Sequence, residues 1–211
     1  ELIGVRMTDG NQEIILGTKY GQSIRFPESD VRVMGRVATG VKGIHITDND
    51  EVIGMDVVDK DKDVLVVTAN GYGKRTPMEE YRAQTRGGKG IITIGASERN
   101  GDVVGLKVVS DEEDLMIITH TGTLIRMSIS GISCYSRYAK GVRLINIRDD
   151  DEVATVTLVD KSEEIDENDE DENVNVSSET EPKENNLDTG MEISSDEPKE
   201  DMDTELTDDE E

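Results

Sequence analysis

A chain of 211 residues with 48 acidic and 23 basic side chains, net −25, excludes nucleic acid as a partner only if its charge is evenly spread. It is not: residues 1 to 159 carry 24 acidic and 20 basic side chains, while residues 160 to 211 carry 24 and 3. The single cysteine, Cys134, excludes a disulfide framework, and no apolar run approaches the ~20 residues of a membrane helix.

Three kinds of segment recur at a spacing near fifty residues. The first is an apolar strand closed by threonine, at Ile14 to Thr18, Val64 to Thr68 and Leu115 to Thr119. A glycine turn and a strand carrying one arginine follow, at Gly21 to Arg25, Gly71 to Arg75 and Gly122 to Arg126. Strand, glycine turn and strand predict a β-hairpin, with Asn70-Gly71 the strongest turn signal. The third segment is a basic loop running into a β-branched strand, at Arg36 to Ile46, Arg86 to Ile94 and Arg137 to Ile147. On charge, Lys42, Lys89 and Arg143 are read as equivalent, with a loop two residues shorter in the middle copy. Segments beginning at Glu51, Asp102 and Glu152 are read as strands that open the next unit.

No stretch before Asp160 has a helical stripe, so the class is all-β. Four short strands per repeat predict propeller-like blades, of which roughly three are present. From Asp160 onward aromatics are absent and acidic runs such as Asp166 to Glu172 dominate, so residues 160–211 are expected to be a disordered acidic tail and 1–159 the folded domain. Cys134 is expected to be a small buried apolar residue, in a protein of the reducing cytoplasm. The start on Glu1 in mid-pattern suggests a fragment with further blades before it.

The glycine-rich stretch Gln84-Thr85-Arg86-Gly87-Gly88-Lys89-Gly90 permits positive φ, leaves amides bare and sets two cations beside them, which suits a phosphate backbone. Arg36, Lys42, Arg86, Lys89, Arg137, Lys140 and Arg143 are the leading candidates for phosphate contacts, followed by Lys74, Arg75 and Arg82. Arg25 and Arg126 lie within strands and are assigned structural roles. Candidates for catalysis or metal binding are absent. His45 and His120 lack partners, Asp59 to Asp63 has Val64 where a calcium loop needs glycine, and Arg75 stands where a P-loop needs serine or threonine. None of Tyr20, Tyr72, Tyr81, Tyr135 and Tyr138 is a credible nucleophile.

With Gln84 to Gly90, Asn70 to Thr76, the Met34-Gly35-Arg36 loop and the Glu98 to Gly101 turn in hand, residues 1 to about 159 resemble the C-terminal β-pinwheel domain of the DNA gyrase A protein. Thr85 departs from the basic residue usual in that family's box, and the box stands in a later blade than the first. The resemblance implies that duplex DNA wraps around a basic rim and that the parent is an ATP-dependent type II topoisomerase introducing negative supercoils. It implies, for that parent, ATP and Mg2+, a gyrase B partner in an A2B2 assembly, and a catalytic tyrosine outside this chain. The corresponding domain of topoisomerase IV and a protein-binding propeller are the alternatives, the latter expected to show aromatic and apolar loop tips rather than glycine and arginine. A tail of net −21 is expected to compete with DNA for the rim.

Overall fold

The structure, a computed structural model, describes residues 2–95, 97–148 and 150–161. The expected acidic tail lies, from residue 162 on, outside the described residues. Each repeat begins with an antiparallel hairpin: β1 (Glu13–Thr18) with β2 (Gln22–Pro27), then the next hairpin and a strand of the first repeat, β3 (Val52–Val57), which precedes β4 (Asp63–Thr68) and β5 (Tyr72–Pro77). The chain continues through β6 (Ile91–Ile92), β7 (Val103–Val109), β8 (Glu113–Thr119), β9 (Leu124–Ser128), β10 (Val142–Arg143) and β11 (Val153–Asp160). Among the described residues the only helical elements are three short 3₁₀ turns, Glu28–Asp30, Met78–Glu80 and Ile129–Gly131, one after each hairpin. Strand β11 includes Asp160, so ordered pairing runs one residue past the expected boundary.

The sheets run β3-β1-β2-β6, β10-β5-β4-β7 and β11-β8-β9. Two expectations change here. Strands β3, β7 and β11 do not open the next unit; each pairs with the first strand of the hairpin before it, as Ile14 with Val57, Val64 with Val108 and Ile117 with Val156. The short strands β6 and β10 leave their own repeat and pair with β2 and β5 of the preceding one. Each of the first two blades is thus completed by the repeat that follows it.

The blades stack through both faces of their central strands. On β4, Val64 and Val66 pack with Ile15 of the first blade, while Leu65 and Val67 pack with Leu115 and Ile117 of the third. A period-two strand buried on both faces is what a blade between two neighbours requires. Each such side chain, at 0–1 % exposure, contributes about 1.5–3 kcal/mol by the usual area rule. At the inner ends the contact is close: a Cβ on Gly54 would stand 3.2 Å from the Leu106 Cβ, and one on Gly105 would stand 2.3 Å from a Val156 methyl. Cys134, by contrast, is exposed rather than buried, its Sγ 3.9 Å from a carboxylate oxygen of Asp63.

The backbone also resets the register of the basic loops. Gly40, Gly90 and Gly141 all have positive φ, at 89°, 76° and 75°, and four residues after each comes a buried isoleucine, Ile44, Ile94 and Ile145. On that register the loops are equally long. Lys42 corresponds to Ile92 and Arg143, and Lys89 corresponds to Lys140 and Thr39, so the charge-based match of Lys42, Lys89 and Arg143 does not hold.

Candidate nucleic-acid interface

Strands β3, β7 and β11 adjoin one another at one end of the sheets, and β6 and β10 terminate the other end. The basic loops that lead into β6 and β10 therefore sit at the outer edges of the blades. Each loop is fastened to the preceding hairpin in the same way. The Arg86 amide donates to the Asp30 carboxylate at 3.2 Å, and the Arg137 amide donates to Glu80 at 2.9 Å, Asp30 and Glu80 being the last residues of their 3₁₀ turns. The Arg86 guanidinium bonds the Asp30 and Lys42 carbonyls, and that of Arg137 bonds the Ile92 carbonyl at 2.8 Å. Both arginines are half-buried and rivet one loop to the next.

The glycine loop is less open than its sequence implies. The Gly87 amide donates to the Gly43 carbonyl at 2.7 Å and the Gly88 carbonyl accepts from His45 at 2.8 Å, so Gly87 is not a bare donor. Gly88 and Gly90 are half-buried in the same turn. The Gln84 amide donates to the Arg25 carbonyl at 2.8 Å, while its buried side-chain Nε2 has no protein partner.

Lys74 and Arg75 leave the candidate set. Lys74 is fully buried, and its ammonium donates to the main-chain carbonyls of Ser136 and Arg137. Desolvation pushes its pKa down to about 8, with Arg137 adding to the fall and Glu80 opposing it. Arg75 is held by Asp111 and by Asp63 at 3.5 Å and donates to the Ile132 carbonyl at 2.8 Å. Arg25 and Arg126 behave alike: the first pairs with Glu13 and bonds the Met78 and Tyr81 carbonyls, and the second pairs with Asp114 at 2.8 Å. This position is structural in all three repeats.

The loop cations differ. Arg36, Lys42, Arg82, Lys89, Lys140 and Arg143 are exposed, and among the described residues none of them has a carboxylate within salt-bridge distance. Unpaired cations on a chain this acidic are available to an external anion. One further residue joins them. The Arg99 guanidinium carbon lies 4.4 Å from the centroid of the Tyr72 ring, and that of Arg143 lies 5.2 Å from it. Arg143 also donates twice to the Tyr72 hydroxyl, at 2.7 and 3.2 Å. Hydrogen bonds from Arg143 and then Arg99 lower the Tyr72 pKa. Asn100, beside Arg99, donates to the Lys140 carbonyl at 2.7 Å, which gathers Arg99, Lys140 and Arg143 into one positive patch. Arg99 is absent from the sequence candidates because nothing basic stands at its place in the other repeats; its only sequence signal is the turn it shares with Asn100 and Gly101.

The inner end has the opposite character. Glu51, Asp102 and Glu152 recur there around an open pocket of about 630 Å³, and Lys19 is neutralised by Glu51 at 3.3 Å and Asp102 at 3.6 Å. Among the described residues no group of three or more His, Cys, Asp or Glu side chains could hold a metal ion. Nor is any helix of them long and apolar enough to cross a membrane.

The profile of the family described as "DNA gyrase C-terminal domain, beta-propeller" matches residues 12–59, 62–110 and 113–160, the same three units that the hairpins and their closing strands define. The DNA gyrase A protein of Staphylococcus aureus strain MRSA252 is 52% identical over 179 residues, covering 84% of this chain and 20% of that protein. The same protein of strain NCTC 8325 / PS 47 is 53% identical over 174 residues, covering 82% and 20%. The chain thus spans a fifth of the length of these curated relatives. Among solved structures, the C-terminal domain of DNA topoisomerase IV aligns with a TM-score of 0.71 at 26% identity, covering 74% of this chain and 49% of that one. The DNA gyrase A C-terminal domain aligns with a TM-score of 0.67 at 24% identity, covering 72% and 52%, a likeness of fold. Blade pairing, the repeated basic loops and the sequence matches agree: the chain belongs to the DNA gyrase C-terminal domain family of β-propellers.

Proposed function

We propose that the outer edges of these blades bind duplex DNA along a curved path, as the wrapping part of a gyrase A protein. The observation that carries the reading is the split between two sets of cations. Arginines inside the hairpins are saturated by carboxylates, whereas among the described residues Lys42, Lys89, Arg99, Lys140 and Arg143 at the outer edge have none. Phosphates would satisfy them, with affinity from counterion release and little base reading. Bending a site through a large angle costs on the order of 1–6 kcal/mol, so contacts repeated from blade to blade suit the task better than one strong site.

The rival platform for proteins predicts apolar loop tips, and Val33, Val37 and Tyr138 are indeed exposed. The charge pattern, not an absence of apolar tips, therefore favours DNA. The parent would be an ATP-dependent type II topoisomerase of the cytoplasm, an A2B2 assembly with gyrase B. Its ATP and Mg2+ would bind elsewhere, since the described residues offer neither a phosphate-binding loop ending in Lys-Ser/Thr nor a ligand cluster. Residues 160–211, net −21, would compete with DNA for the same cations as a tail.

Sealing nicked circular DNA in the presence of the chain tests the reading. Wrapping with a fixed hand shifts the topoisomer distribution to one side in proportion to bound protein. An unshifted distribution under conditions where the protein is bound would refute it.

A further inference from the structure

The second blade departs from its neighbours at the end of its hairpin. In the first and third blades the amide of the residue before the turn glycine donates to an aspartate, Tyr20 to Asp50 at 3.0 Å and Thr121 to Asp151 at 3.1 Å. In the second blade a glycine replaces that aspartate. Gly101 has φ 73°, and a Cβ there would stand 3.0 Å from the Asn70 Oδ1. The Asn70 amide donates instead to the Asn100 carbonyl at 3.0 Å, and its side-chain Nδ2 donates to the Glu98 and Arg99 carbonyls at 3.2 and 3.0 Å. The turn also changes sign of charge. Asp48-Asn49-Asp50 in the first repeat and Asp150-Asp151 in the third give way to Arg99-Asn100-Gly101.

Three segments meet at this turn. Asn100 is 0% exposed and ties the turn to the Lys140 carbonyl in the basic loop of the third repeat. Tyr72, at the start of β5, is 6% exposed and pairs across the sheet with Arg143 on β10. Strand β5 has β4 on one side and β10 on the other, so the site borders no open sheet edge. Gln22 and Thr123 stand at the place of Tyr72 in the other repeats. The Tyr72 hydroxyl accepts from Nε and one terminal nitrogen of Arg143, whose other terminal nitrogen donates to the Asn146 side chain at 3.1 Å. Three of the five N–H donors of this guanidinium are thus committed, and one remains on each terminal nitrogen. The Arg99 guanidinium lies over the same ring at 4.4 Å. One buried ring therefore orients two cations, and like charges held this close favour an anion that touches both.

We propose that Tyr72 is a positioning residue and that, with Arg99 and Arg143, it builds a site for one phosphodiester of duplex DNA on the second blade. The inference rests on the DNA reading above and narrows it. The repeated lysines of the outer edge act as point charges along the bend, and the two-arginine site adds one oriented contact among them. Such a contact fixes the register of the duplex on the protein without reading its sequence. Phosphate is the target because two planar guanidinium forks match its oxygens.

The test is the affinity of the full chain for a duplex of about 150 base pairs over a salt series, each variant being measured where circular dichroism shows it folded. Arg143→Lys keeps the charge and loses the fork, so affinity should fall about tenfold at an unchanged salt slope. Tyr72→Phe keeps the ring and every cation, and should weaken binding roughly two- to tenfold, again at an unchanged slope. In an Arg143→Gln background Tyr72→Phe should have no further effect, which a merely structural tyrosine would not show. Arg99→Gln should cost more affinity than Lys42→Gln or Lys89→Gln, although each lowers the slope by about 0.9. The proposal is overturned, with the DNA reading intact, if Lys42→Gln and Lys89→Gln weaken binding while Arg143→Lys and Tyr72→Phe bind like the wild type. It is equally overturned if Tyr72→Phe costs the same in both backgrounds, or if Arg99→Gln costs no more than Lys89→Gln. A folded chain that binds no duplex at low salt overturns both readings.

Discussion

The ammonium of Lys74, on the second strand of the second hairpin, donates to the main-chain carbonyl of Arg137 at 2.8 Å, tying the second blade to the loop of the third. Ile24 and Ile125 occupy this position in the other repeats, so a buried apolar site has become a buried charge. Its pKa falls from 10.5 unfolded to about 8 folded because burial penalises the cation. Between those values the unfolded chain binds more protons than the folded one, so this residue makes stability rise with pH from about 8 to 10.5. The gain is on the order of 3 kcal/mol. Urea unfolding of the wild type and of Lys74→Met at pH 7.5 and at pH 10.5 measures it: the wild type should gain on the variant at high pH. A constant difference would contradict the assignment.

The exchanged strands make a second prediction. Gly141→Ala adds a Cβ 2.6 Å from the Gly73 carbonyl oxygen at a φ of 75°. Backbone strain alone costs about 1–3 kcal/mol, and the clash adds to it. Gly10→Ala, at φ 95° with open space around it, should cost the strain alone. Denaturant midpoints compare the two variants, and equal losses would mean that β10 is not seated on β5 as described.

The two kinds of arginine and lysine should separate in mutagenesis. Arg25→Met strands Glu13 and two carbonyls and should cost roughly 1–3 kcal/mol of stability. Lys140→Gln and Lys89→Gln, with exposed side chains that form no ion pair among the described residues, should change thermal stability by less than about 0.5 kcal/mol. On the proposed function, each should lower the slope of log affinity for duplex DNA against log salt by about 0.9. Calorimetry and DNA titration on the same samples read both effects.

Two tyrosines should titrate apart. Tyr72, bonded by Arg143 and beside Arg99, ionises below the ordinary value of 10.0, whereas burial pushes Tyr81 up to about 12. Ultraviolet titration of wild type, Tyr72→Phe and Tyr81→Phe should show that the first variant loses a step below the ordinary value of 10.0 and the second a step near 12. Stability to alkali is checked in parallel by circular dichroism.

Strands and turns are legible in this sequence because their causes are local: β-branched runs, the Asn70-Gly71 turn and the hairpin arginines announce themselves within a few residues. The exchange of β6 and β10 is not, since which edge a two-residue strand joins depends on partners some seventy residues away. The loop register is hidden for a related reason. Charge aligns Lys42, Lys89 and Arg143, while the positions under steric constraint are Gly90 and Gly141, with Gly40 sharing their left-handed turn. Lys74 is misleading because a lysine beside an arginine after a glycine turn reads as a phosphate contact; only the fold shows that Ser136 and Arg137 supply carbonyls to its ammonium. Arg99 escapes notice because its role comes from the face of Tyr72, which no spacing rule encodes.

The most direct test of the account is the salt dependence of binding to a duplex of about 150 base pairs, measured for the wild type and for the triple variant Lys42→Gln, Lys89→Gln, Lys140→Gln. The account predicts sequence-independent binding that falls steeply with salt, and a slope smaller by about 2.7 in the variant at unchanged folding stability. A folded wild-type chain whose affinity or slope is the same as the variant's would contradict it.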